Sequence, residues 1–78
     1  MATYKFPQFK VEIVNPTISI DLNSIQDKAL DKMLNVNVLL STETANYGVV
    51  ASDMAYEYSW DDDDIPLMVD KWIKQFEA

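Results

Sequence analysis

Residues Asp61–Phe76, DDDDIPLMVDKWIKQF, carry the clearest period in this chain. Ile65, Met68, Val69, Trp72, Ile73 and Phe76 recur at steps of three and four, which places them on one side of a helix. Asp70, Lys71, Lys74 and Gln75 fall on the other side. The acidic run Asp61–Asp64 precedes the stripe. An Asp carboxylate accepts a bond from a free N–H of a helix's first turn and suits the positive end of the helix dipole. Pro66 has no N–H and is tolerated only in that first turn. The expected cap is therefore Asp63 or Asp64, with Asp62 the alternative. Burying six large side chains, at about 1.5–3 kcal/mol each, makes this helix the expected plug of the core.

Working back from the helix, Tyr47–Trp60 reads as a long or bent strand, with the lone Gly48 marking a bulge near its start. Val50, Met54, Tyr56, Tyr58 and Trp60 share one parity. Ala51, Asp53, Ala55, Glu57 and Ser59 share the other. Large rings are thus expected on one face and small or acidic groups on the opposite one. Ser41–Asn46 is polar and reads as a loop. Leu34–Leu40 is a strand in which Leu34, Val36, Val38 and Leu40 alternate with Asn35 and Asn37.

Asn23–Leu34 can be read two ways. It lacks Gly and Pro, and Ile25, Ala29, Leu30, Met33 and Leu34 fit one helical face. Ser24 and Asp27 resemble a capping box. The reading favours a helix, and its rival is extended chain around a turn at Asp27-Lys28. Before it, Phe9, Val11 and Ile13 alternate within an N-terminal strand over residues 4–14. Asn15-Pro16 is a turn signal, and Ile18, Ile20 and Leu22 alternate in a second strand. The expected architecture is α+β: a small antiparallel sheet of about four strands in β-β-α-β-β-α order, with the C-terminal amphipathic helix packed on one face. A length of 78 residues is that of one domain, residues 1–78.

Charge and composition bound the function. Residues 1–32 balance four Lys against four acids, whereas residues 33–78 hold two Lys and nine acids. No basic residue lies between Lys32 and Lys71, and there is no Arg. Direct nucleic-acid binding requires cations that neutralise phosphates, so it is not expected, and neither is an anionic membrane surface. Tyr56, Tyr58 and Trp60 would be better used under a helix than for stacking bases. Residues 1–5 lack the apolar core of a signal peptide, and no apolar run approaches a membrane span. A cytoplasmic protein is expected.

With no His and no Cys, the commonest general base, metal ligand and thiol nucleophile are all missing. A calcium loop begun at Asp61 would need Gly at its sixth place and Glu at its twelfth, where Pro66 and Trp72 stand. No metal, cofactor or catalytic residue is therefore expected, and no enzyme.

Two functions survive. One is a small non-enzymatic protein-interaction or assembly module that contacts another protein or itself through strand edges and acidic side chains. The other is an acidic nucleic-acid mimic that inhibits a DNA- or RNA-binding protein. In both, Asp53, Glu57, Asp61, Asp62, Asp63 and Asp64 are the expected partner-binding residues, with Glu43 and Asp70 adding to the field. Short acidic chains without Cys or His are common among accessory proteins of phages and mobile elements. A phage-like accessory or structural role, with virion association, belongs to the first reading. An apolar second sheet face would favour self-association.

Overall fold

The computed structural model describes residues 2–57 and 59–78. Three long strands, β3 (Thr17–Lys28), β4 (Met33–Ser41) and β5 (Asn46–Ala55), form an antiparallel sheet in the order β3-β4-β5. The alternation in β4 decides the faces. Leu34, Val36, Val38 and Leu40 are all buried, and Val49, Ala51 and Met54 of β5 join them on the inner face. A tight turn links β4 to β5. Thr42 donates its N–H to the Ala45 carbonyl at 2.8 Å, and its hydroxyl accepts the Ala45 N–H at 3.1 Å.

The stretch expected to be a helix, Asn23–Leu34, is extended. β3 runs through it to Lys28, and β4 has already begun at Met33. Gln26, Asp27 and Lys28 pair with Asn35, Leu34 and Met33. The reversal lies at residues 29–32, just beyond the rival Asp27-Lys28 turn, with Lys32 at φ 55. Helix propensity here is a weak prior that tertiary pairing overrides. Of the five residues on the supposed helical face, Leu34 enters the core while Leu30 stands fully in water. Ser24 makes bonds of another kind. Its hydroxyl donates to the Asp21 carbonyl at 2.7 Å and accepts the Asn37 N–H at 2.8 Å. That closes an irregularity where β3 slips register between Asp21 and Gln26.

The N-terminal strand also divides. β1 (Thr3–Tyr4) and β2 (Ile13–Val14) pair with each other, not with residues 17–22. The expected alternation fails because Phe6 takes the buried place while Val11 stays exposed. The chain bends at Pro7, and Phe9 N–H bonds the Phe6 carbonyl at 3.2 Å. This turn aims Phe6 at the helix, with its ring centroid 4.6 Å from that of Phe76 and 6.1 Å from that of Trp72. On its far side β1 meets the C-terminus. Lys5 N–H bonds the Phe76 carbonyl and Ala78 N–H bonds the Thr3 carbonyl, both at 2.8 Å. Among the described residues the structure is thus α+β, with two antiparallel sheets of two and three strands and a single α-helix, in place of the expected four-strand order.

That helix, α1 (Asp64–Ile73), continues as a 3-10 turn over Lys74–Phe76 and packs on β5. Ile65, Val69 and Ile73 are fully buried, and Met68, Trp72 and Phe76 are half-buried against the same cluster. The expected stripe is the buried one. The tail tightens at Lys74, and its last ring, Phe76, lies against Phe6.

β5 carries its bulge at Ser52-Asp53, not at Gly48. Val36 pairs with Ala51 and Leu34 with Met54, so Ser52 and Asp53 together oppose Asn35. Asp53 adopts φ 57, a left-handed conformation that Asp tolerates better than most residues. Its N–H is held by the Asn35 side-chain oxygen at 2.8 Å. The extra residue reverses the parity. Val50 therefore lies on the outer face while Met54 lies on the inner one, against the expectation that they share a side. Tyr56 and Trp60 are half-buried beside the core. Tyr58, the other ring of the expected row, lies outside the described residues.

Candidate interaction surfaces

The acidic residues expected to bind a partner fall into two groups. Asp53 sits on the bulge, its carboxylate 3.0 Å from the Lys28 ammonium. Asp61–Asp64 form the entry to α1. Asp63 holds the N-cap position but makes no side-chain cap bond. The closing bonds come from its neighbours. Asp61 Oδ1 accepts the Asp63 N–H, Asp64 Oδ2 accepts the Asp61 N–H, and Asp64 N–H bonds the Asp61 carbonyl, each at 3.0 Å. Asp61 and Asp64 are therefore structural. Asp62, Asp63 and Glu57 are exposed. Glu57 and Asp64 share a groove of about 260 Å³ with Trp60, Leu67 and Met68. No group of three or more acids with metal-holding geometry occurs among the described residues.

Behind this groove, Asp27 ties two elements together. It accepts the Tyr56 hydroxyl on one oxygen and the Trp60 indole N–H, at 3.2 Å, on the other. The bond to Asp27 is the main reason the Tyr56 phenol is held above its ordinary pKa of 10.0. Tyr4 is also raised, chiefly by burial, with Glu77 and Asp70 adding to the effect.

A third surface, not among the expected partner-binding residues, lies on the outer face of the three-stranded sheet. Leu39 pairs with Ser19 on one side and Gly48 on the other, and the next outward row is Asp21, Asn37 and Val50. Leu39 is 40% and Val50 53% exposed. Between them the absent side chain of Gly48 leaves a shallow cavity of about 520 Å³, with Ser19, Asp21 and Asn37 on its rim. Gly48 has no positive φ, and a Cβ added there would meet no heavy atom of the described residues within 4 Å. Glycine inside a strand costs roughly 0.5–1 kcal/mol relative to Ala, and nothing within the fold demands it at this place. The available signal was the pair of runs Val38-Leu39-Leu40 and Val49-Val50-Ala51, where consecutive apolar residues put one on each face.

This face adjoins an uncovered edge. Among the described residues no strand pairs with the outer side of β3, and Ile18 and Leu22 are 37% and 44% exposed along it. The surroundings are acidic or neutral. Lys28 and Lys32, both at the β3–β4 hairpin, are the only cations between Lys10 and Lys71. No protein-family model, curated protein or solved structure matches the chain. No helix among the described residues is long and apolar enough to cross a membrane.

Proposed function

We propose that this chain is a small non-enzymatic protein-interaction or assembly module that works through the outer face of its sheet. The observation that carries the reading is the apolar hollow over Gly48, walled by the exposed Leu39 and Val50 and bordered by the free edge of β3. Apolar side chains gathered in a concave surface gain from being covered, at about 25 cal/mol per Å² removed from water. An accessory or structural protein of a phage or mobile element is one setting for such a module.

The mimic is the second reading, and the exposed carboxylates of Glu57, Asp62 and Asp63 favour it. A run of acids without intervening cations attracts a basic cleft and speeds association.

The two differ in what they lose. The module should lose its partner when Leu39→Ser and Val50→Thr are combined, and should hold it at high salt. The mimic should lose its partner when Glu57, Asp62 and Asp63 become amides, and as salt rises. Binding measured with both variants, each checked for folding by circular dichroism, decides between them. A partner that ignores the outer-face variant overturns the module reading.

A further inference from the structure

Tyr56, Ser59 and Trp60 stand between two grooves and line both. The groove on one side, of about 350 Å³, is completed by Asp27, Ala29 and Lys32. There the chain supplies its own cation. The Lys32 ammonium lies 6.0 Å from the Tyr56 ring centroid, at the reach of a cation–π attraction. The groove on the other side, of about 260 Å³, holds two carboxylates, Glu57 and Asp64, and among the described residues no lysine lines it. The ion pairs among those residues, Lys28–Asp53 and Lys74–Asp70, lie elsewhere. The positive end of α1 is close and equals roughly half a charge. The carboxylates of Asp61–Asp64 outweigh it.

The remaining walls of this second groove are Trp60, Leu67 and Met68. A ligand that fits needs an aliphatic stem to lie along them and a cation at its end to meet the acids. A lysine side chain has both, since its stem covers apolar surface while its head stays at the wet rim. Glu57 and Asp64 arrive from separate elements, the segment after β5 and the first turn of α1. The three rotatable donors of an ammonium can be shared between them, whereas the planar fork of a guanidinium matches a single carboxylate. We propose that this groove receives a lysine side chain of a partner protein, with the ammonium between Glu57 and Asp64 and the stem against Trp60, Leu67 and Met68. Asp27 holds the shared wall from behind by accepting the Tyr56 hydroxyl and the Trp60 indole N–H. The rings are thus set before the ligand arrives, which lowers the cost of binding. The groove has no lining residue in common with the hollow over Gly48. The proposal therefore goes beyond the outer-face reading, and either can fail without the other.

The probe is n-butylammonium, which is the lysine side chain by itself. Titrated into the isotope-labelled protein, it should shift the Trp60 indole N–H resonance saturably. The indole of Trp72, which packs on Phe6 and Phe76 outside the groove, should stay in place. n-Butanol has the stem without the charge, and ammonium chloride has the charge without the stem. At matched concentration and ionic strength, neither should saturate. Glu57→Gln and Leu67→Ser, both at exposed positions, should each abolish the saturable shift while the thermal midpoint stays at that of the parent. Either variant suffices if the other fails to fold. A Trp60 resonance that ignores n-butylammonium overturns the proposal. So does one that answers ammonium chloride or n-butanol equally, or binding that survives in a folded variant. Tighter binding of n-butylguanidinium overturns the choice of lysine.

Discussion

The Trp60 indole donates its N–H to the carboxylate of Asp27 at 3.2 Å, across an interval of 33 residues. With the Tyr56 hydroxyl on the other carboxylate oxygen, this joins the end of β3 to the segment leading into α1. Hydrogen bonds to a charged group contribute about 1.5–3 kcal/mol each at best, and less where water competes, as it does here. Asp27→Ala should therefore lower the urea midpoint and shift Trp fluorescence to the red. A variant with unchanged stability and emission would show that the tie has no weight.

The alkaline limb of stability should depend on Tyr56 and Tyr4. Both phenols are raised in the folded state above the ordinary 10.0, Tyr56 by its bond to Asp27 and Tyr4 by burial. A raised phenol favours the protonated form. The stability it contributes is complete below pH 10 and is lost as pH rises through the folded-state value. Thermal midpoints should hold steady as pH 10 is approached and fall above it. Phenolate absorbance should show late-titrating tyrosines, one of which disappears in Tyr56→Phe. If that variant titrates as the parent does, the assignment is wrong.

At the helix entry, Asp61 and Asp64 make the bonds while Asp62 and Asp63 lend only charge. Asp61→Ala should cost about 0.5–1.5 kcal/mol, the usual net worth of one hydrogen bond. Asp62→Asn and Asp63→Asn should stay within about 0.5 kcal/mol. Chemical denaturation of the three variants checks the order, and equal losses would contradict it.

Along α1, burial separates neighbours. Ile73→Ala should cost about 2–5 kcal/mol because it empties a filled site in the core. Leu67→Ala, at a residue 71% exposed, should change stability by less than about 0.5 kcal/mol. Comparable losses at both positions would mean that the helix faces the other way.

Much of this architecture is legible in the chain. The 3.6-residue period of Ile65, Val69 and Ile73 and the two-residue period of Leu34, Val36, Val38 and Leu40 each mark a buried face. Those two readings place α1 and β4. Local pattern fails where the deciding bonds are distant. Ser24 looks like a helix cap until Asn37, far along the chain, donates to it. Asp53 looks like an ordinary strand residue until Asn35 holds its N–H and reverses the parity of β5. Phe6 carries no period at all, and the rings of Phe9, Trp72 and Phe76 give it a place. The acidic surface was visible from composition. The apolar hollow was not, because a glycine's missing side chain becomes a cavity only when Leu39 and Val50 are set on either side of it.

The bonds that hold residues 3–5 against residues 76–78 also set a schedule. Residues 3–5 are synthesised long before residues 76–78, one of their two neighbours. Contacts so distant in sequence are slow to form. The long meander pairs strands that are neighbours in sequence, but the seam between residues 3–5 and 76–78 has to wait until both of its distant sides exist.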